Sequence, residues 1–227
     1  MTDNSHGPAA ASSALSVIIE DRAVTVVRAP DAFDVLSLAT ALTRGGLRAV
    51  ELTLTTPGIL ERLSAVPAAE FASVQATVGV GTVLTGAGAS AAIDAGAQFL
   101  VTPGVNEPVA TVAAQRGVPV IMGAFTPTEV MSAVHLGAAA VKIFPARAVG
   151  PTYLRDLLGP FPGLALIPSG GINAGNAADY LTAGAVAVTA GTDVVAPALV
   201  AAAQWNTIAE RAAQFAATIK RNAGEGA

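Results

Sequence analysis

Two side chains in this 227-residue sequence combine chemical capability with an apolar setting: Glu51 in AVELTLTTP and Lys142 in AAAVKIFPA. Both segments read as β-strands, in which alternate residues face opposite sides. In the first, Glu51, Thr53 and Thr55 share one face, and Val50, Leu52 and Leu54 share the other. In the second, Lys142 shares a face with Ala140 and Phe144, while Val141 and Ile143 face away. The one other lysine, Lys220 in TIKRN, reads as a solvated charge. The neutral amine is the nucleophilic form. A free lysine, with a pKa of about 10.4, is only about 0.04% neutral at pH 7, and removal from water favours the neutral state. A nearby carboxylate opposes that shift while ionised, yet it accepts and returns protons. Such a pair suits Schiff-base chemistry on a carbonyl substrate. The alternative is a buried ion pair with no chemical role.

Further segments offer binding groups. IPSGGIN at 167–173 and VTAGTD at 188–193 are loops suited to an oxyanion. Backbone N–H groups at Gly170, Gly171 and Gly191 can approach an anion closely, and the hydroxyls of Ser169 and Thr192 add donors. A helix opening near Asn173 is expected to add its dipole, although Asn173 also reads as a plain N-cap. Thr82, in GVGTVL, either hydrogen-bonds a substrate carboxylate or caps the next helix. Arg28, in TVVRAPDAF, either grips a carboxylate in two-pronged fashion or makes a surface ion pair. Pro103 and Gly104 end a strand and shape the mouth. His135 closes a helix, where a basic group suits the dipole. Thr126, Pro127 and Glu129 read as a helix start with a capping box.

The elements that must position these residues alternate regularly. Strands are expected at 23–28, 49–54, 74–80, 98–102, 119–122, 139–144, 164–168 and 185–189. Helices are expected at 31–43, 57–65, 85–95, 106–116, 126–136, 151–158, 173–183 and 198–220, with a short one near 12–21 ahead of the first strand. Strand–helix alternation without hairpin signals indicates parallel βαβ units. Glycines repeatedly end a helix just before the next strand, and Gly96, Gly117 and Gly137 do so at near-constant intervals. Eight compact units predict an α/β fold of the (β/α)8 TIM-barrel type, a single domain over 12–220 with flexible tails at 1–11 and 221–227. The rival, a doubly wound sheet, lacks its glycine-rich fingerprint in the first turn, RAPDAF. In a barrel the outer helices cover the apolar strand faces. Glu51 and Lys142 then point inward, and the C-terminal strand ends carry the chemistry.

Composition narrows the function classes. Hydrophobic residues make up 52% and charged residues 12% of the chain, which suits a packed core rather than disorder. Twelve basic and sixteen acidic residues give a net charge of −4, which argues against a nucleic-acid partner or a membrane-surface partner. Without cysteine there is no thiolate chemistry, and the two histidines, His6 and His135, lack the spacing of a metal site, so no metal is expected. Residues 1–14 lack the basic start and apolar core of a signal peptide, and a cytoplasmic location is the expectation.

Taken in order, VELTLTTPG, VGVGTVLT, FLVTPGV, PVIMGAFTPTE, VKIFPA, IPSGGIN and AGTDVV resemble the class I KDPG/KHG aldolases, that is, 2-dehydro-3-deoxy-6-phosphogluconate and 4-hydroxy-2-oxoglutarate aldolase. The resemblance spans roughly residues 12–220. It implies that Lys142 is the Schiff-base lysine and Glu51 the general acid/base. It implies that Thr82 helps hold the pyruvyl carboxylate and that Pro103 and Phe144 shape the pyruvyl pocket. It implies that Ser169, Gly170, Gly171 and Thr192 stand at the phosphate-binding positions, with Ser169 where threonine is usual and Thr192 where serine is common. One departure concerns charge: many members carry arginine four residues after the glutamate, where this chain has Thr55. Other members pair threonine there with an arginine ending strand one, as Arg28 does here, and we expect Arg28 to supply the charge.

The activity implied is reversible cleavage of a 2-keto-3-deoxy-6-phospho sugar acid to pyruvate and glyceraldehyde 3-phosphate, or of 4-hydroxy-2-oxoglutarate to pyruvate and glyoxylate. It needs no cofactor, and family analogy implies a homotrimer. Two other readings stay open on the sequence: a phosphate-binding barrel epimerase or isomerase without an imine, and a non-catalytic assembly scaffold.

Overall fold

The β-branched runs form strands and the alanine- and leucine-rich stretches form helices in strict alternation. The computed structural model describes residues 13–221. The tails expected at 1–11 and 221–227 lie outside them, except for Arg221, which ends the last helix. Helix α1 (Ser13–Asp21) precedes β1 (Ala23–Val27), α2 (Val35–Arg44) and β2 (Ala49–Thr53). Two short helices, α3 (Ile59–Ser64) and α4 (Ala68–Ser73), lead to β3 (Thr77–Gly81) and α5 (Gly86–Asp94). Then come β4 (Leu100–Val101), α6 (Glu107–Gln115), β5 (Val120–Ala124), α7 (Pro127–His135) and β6 (Ala140–Ile143). A 3₁₀ turn (Ala146–Ala148) and α8 (Thr152–Leu158) join β6 to β7 (Leu166–Pro168). Helix α9 (Ala177–Thr182), β8 (Val188–Ala190), α10 (Pro197–Ala201) and α11 (Trp205–Arg221) complete the chain.

All pairings are parallel, and the strand order β7-β6-β5-β4-β3-β2-β1-β8 wraps the sheet around. The seam between β7 and β8 is drawn together by the Val186 N–H donating to the Leu166 carbonyl at 3.0 Å and the Thr189 hydroxyl donating to the Pro168 carbonyl at 3.3 Å. The result is a (β/α)8 barrel.

Strand alternation divides the apolar residues into two sets. Val50, Leu52, Val78, Val80, Val141 and Ile143 face outward into the large cluster beneath the helices. Val24, Ala49, Phe99, Val101, Ile121, Ala140 and Ile167 face inward. Helix α1 closes the floor, with Ala14 and Ile18 packed on that inner cluster. A latch holds it: the Arg48 guanidinium donates to the Asp21 carboxylate at 2.6 and 2.9 Å, and the Arg48 N–H donates to the same carboxylate at 2.8 Å. Glycines make the narrow interior fillable. A Cβ on Gly79 would strike the Phe99 ring, and one on Gly123 would strike the Pro103 backbone. The repeated helix-ending glycines Gly96, Gly117 and Gly137 sit at φ of 104°, 64° and 79°, the left-handed caps their spacing implied.

Several expected bounds shift: the strands expected at 98–102, 164–168 and 185–189 shorten or slide to Leu100–Val101, Leu166–Pro168 and Val188–Ala190, the helix expected at 31–43 starts at Val35, and α4 is not among the expected helices. The stretch at 74–76 is not strand: Val74 caps α4, and Gln75 takes a left-handed φ of 59°. The single helix expected at 198–220 is broken, because Ala203 turns at φ 50° and the Trp205 N–H returns to the Ala203 carbonyl at 2.8 Å. Helix α9 starts at Ala177, not near Asn173. The Asn173 side chain instead accepts from the Gly175 N–H at 2.8 Å in a local turn, so neither its N-cap role nor a helix dipole at that loop stands.

Candidate active site

Strand β2 delivers Glu51 and β6 delivers Lys142 to the interior just inside the C-terminal end of the barrel. The Lys142 Nζ lies 3.6 Å from Glu51 Oε1, and the two residues are 8% and 1% exposed. Burying both charges is costly unless each finds partners. Yet Glu51 Oε1, buried beside the amine, has no hydrogen-bond partner among the described residues. Two local features hold this arrangement. Gly81 opposes Thr53 in the β2–β3 register, and a Cβ there would overlap the Glu51 carboxylate. The Phe144 ring lies beside the amine, 5.6 Å from Nζ to its centroid, and stays partly exposed to the mouth.

The cavity above the pair has a volume of about 590 Å³. Its walls contain most residues singled out in the sequence. Arg28, Thr82, Pro103 and Phe144 line it beside Glu51 and Lys142, and Ser169, Gly170, Gly171, Gly191 and Thr192 line its far side. For two of these residues the competing local roles are not met. Thr82 does not cap α5; Thr85 does, accepting from the Gly88 N–H at 3.0 Å. Thr82 sits in the left-handed region at φ 58°, a strained conformation for a β-branched residue. Arg28 makes no ion pair among the described residues and lines the cavity. The capping box at α7 is formed, and His135 stands in its last turn.

Thr55 stands apart. The strand ends at Thr53 and the chain turns, with the Thr56 N–H bonded to the Thr53 carbonyl at 3.0 Å. The two-residue alternation therefore stops before Thr55, which is exposed, bonded to the Thr53 hydroxyl at 3.0 Å and absent from the cavity wall.

The two glycine loops are held as one surface. Gly170 and Gly171 take successive φ of 90° and 85°, and the Ala174 N–H donates to Asp193 Oδ2 at 2.9 Å, tying the loop after β7 to the loop after β8. Among the described residues, the N–H groups of Gly170, Gly171, Gly191 and Thr192 find no intramolecular acceptor. Sequence reasoning missed two polar residues of the wall, Thr189 and Arg147. Thr189 follows from alternation along β8. Arg147 does not, because it sits on the 3₁₀ turn where that alternation has ended.

Fold and site together define a (β/α)8 barrel with a buried lysine–carboxylate centre at its C-terminal mouth. A family model described as KDPG and KHG aldolase matches residues 15–211. The 2-dehydro-3-deoxy-phosphogluconate aldolase of Pseudomonas aeruginosa is 35% identical over 187 residues, covering 82% of this chain and 84% of that protein. The KHG/KDPG aldolase of Escherichia coli K12 is 33% identical over 201 residues, covering 88% and 93%. Among solved structures, KDPG aldolase from Legionella pneumophila, with pyruvate captured as a covalent carbinolamine intermediate, superposes with a TM-score of 0.79 at 27% identity, covering 89% of this chain and 98% of that one. The chain belongs to the KDPG and KHG aldolase family. Its named relatives are aldolases, which are carbon–carbon lyases.

Proposed function

We propose that the protein is a class I aldolase that reversibly cleaves a 2-keto-3-deoxy-6-phospho sugar acid to pyruvate and glyceraldehyde 3-phosphate, with 4-hydroxy-2-oxoglutarate as a second substrate. The observation that carries this reading is the buried Lys142–Glu51 contact with its unpartnered carboxylate oxygen. The Lys142 amine adds to the C2 ketone. Glu51, holding the proton that Lys142 gives up on becoming neutral, delivers it to the carbinolamine hydroxyl, which leaves as water and yields an iminium that draws electrons from the C3–C4 bond. The Glu51 carboxylate takes the C4 hydroxyl proton, the C3–C4 bond breaks, and its electrons pass into the iminium. An aldehyde departs and an enamine of pyruvate remains. Glu51, holding that proton, returns it to C3, and water then releases pyruvate and the free amine. In this reading Arg28 and Thr82 hold the keto-acid carboxylate, Pro103 and Phe144 wall the pyruvyl end, and the loops bearing Ser169, Gly170, Gly171, Gly191 and Thr192 receive a phosphate.

Borohydride reduction in the presence of pyruvate tests the chemistry. The expected result is a stable adduct on the peptide containing Lys142, together with loss of cleavage by at least about 10³-fold in Lys142→Met. An unlabelled Lys142 overturns the reading and leaves the epimerase alternative. We further propose a cytoplasmic homotrimer. Leu84, Met131 and Val134 are exposed apolar residues available for its contacts, and light scattering should return three times the chain mass of 22.4 kDa. No helix among the described residues is long and apolar enough to cross a membrane.

A further inference from the structure

We propose that Arg147 is a specificity-determining residue, which selects substrates whose departing aldehyde carries an anionic group. The inference rests on the aldolase reading for its substrate and on geometry for its residue.

The 3₁₀ turn after β6 is pinned to the loop after β7. The Ala146 N–H donates to the Ser169 carbonyl at 2.7 Å, and the Arg147 N–H donates to the Gly170 carbonyl at 3.0 Å. The aliphatic stem of Arg147 lies directly on Gly171. A Cβ at Gly171 would overlap that stem, and its φ of 85° disfavours a side chain in any case. Backbone and stem are thus placed, which reduces the entropy lost when the guanidinium engages a ligand. The guanidinium itself has no partner among the described residues, whereas Arg48 and Arg116 are paired with carboxylates. Among the described residues Glu51 is the one carboxylate in the cavity wall, and it stands beside Lys142. Two arginines, Arg28 just after β1 and Arg147 on the turn after β6, therefore line the cavity with no ion pair among the described residues. One substrate carboxylate accounts for one of them. The second calls for another anion, and Arg147 stands on the side where the Gly170 and Gly171 N–H groups are also unpaired. A phosphate ester or a carboxylate on the aldehyde would meet a planar fork and two backbone donors together.

The test compares wild type, Arg147→Ala and Arg147→Lys in condensation of pyruvate with glyceraldehyde 3-phosphate, glyoxylate and neutral glyceraldehyde. The expected result is a ten- to hundredfold fall in kcat/KM for glyceraldehyde 3-phosphate in Arg147→Ala, carried mainly by KM. The ratio of phosphorylated to neutral aldehyde should fall about tenfold or more, and Arg147→Lys should recover part of it. A matching fall with glyoxylate assigns the residue to anions generally, and a fall with glyceraldehyde 3-phosphate alone assigns it to phosphate. A ratio within twofold of wild type overturns the inference. Calorimetric titration with glycerol 3-phosphate separates this inference from the aldolase reading. Weaker binding by Arg147→Ala supports the residue's role even if no cleavage is found, and equal binding overturns it. Labelling of Lys142 by pyruvate and borohydride in Arg147→Ala shows that the aldolase chemistry stands whichever way the selectivity falls.

Discussion

In the proposed cleavage Glu51 shuttles a proton and must stay within reach of the reacting atoms, and the restraint on it comes from a residue with no side chain. Gly81 leaves the space that the Glu51 carboxylate occupies. In Gly81→Ala the new methyl group and the carboxylate compete for one volume, and the glutamate must swing off Lys142. The expected outcome is a fall in kcat of about 10²-fold, the usual cost of misplacing a catalytic group by roughly 1 Å, with pyruvate still trapped on Lys142 by borohydride. Unchanged turnover in a lactate-dehydrogenase-coupled assay would show that the space is not needed. The lysine and the glutamate were legible in the sequence because strand alternation placed each on the barrel's inner face, against apolar neighbours. Thr55 and Arg147 were not, for one shared reason: each lies just past a strand end, where the chain turns and the two-residue period no longer reports direction. Gly81 was visible as a glycine, but its role depends on a neighbour from another strand that sequence spacing does not reveal.

At the scale of elements, the fold was legible wherever a local signal was complete within one segment. The start of α7 is such a case. Glu129 accepts from the Phe125 N–H at 2.9 Å, the Thr126 N–H at 2.8 Å and the Thr126 hydroxyl at 2.9 Å, and these bonds, the Phe125 one foremost, hold its carboxyl below the ordinary glutamate range. A carboxyl lowered on folding contributes stability that is fully present above its unfolded value, about 4.3, and is lost as pH falls through the lowered folded value. Glu129 is exposed, so the effect is modest. Glu129→Ala should lower stability by roughly 0.5–1 kcal/mol at pH 7, and the difference from wild type should shrink as urea midpoints are taken down from pH 5 to pH 3. A gap that stays constant across that range would detach the cap from the carboxylate. The elements that escaped the sequence lacked such complete signals. Helix α4 is six residues, AAEFAS, with one buried side chain, Phe71, too short to display a helical period. The break between α10 and α11 falls at Ala202–Ala203–Gln204, with no glycine or proline to mark it.

For the molecule as a whole, the barrel assigns opposite tasks to its two ends. The upper interior carries a lysine, a carboxylate, unpaired N–H groups and a strained Thr82, all of which cost stability. The lower interior is an apolar plug, where α1 lays Ile18, fully buried, against the inward cluster that includes Val24, Ala49 and Phe99. If the floor offsets the mouth, truncating the plug should lower stability without touching chemistry. Ile18→Ala removes buried methyl groups from a site whose neighbours are held by strand pairing and by the Asp21–Arg48 latch, so little collapse can fill the space. The expected loss is about 2–5 kcal/mol, on the order of 10 °C in thermal midpoint for a domain this size. The kcat/KM at temperatures well below that midpoint should stay within twofold of wild type. A fall in kcat/KM beyond that would mean that the floor also sets the geometry of Lys142 and Glu51, and the two ends would then have to be treated as a single packed unit.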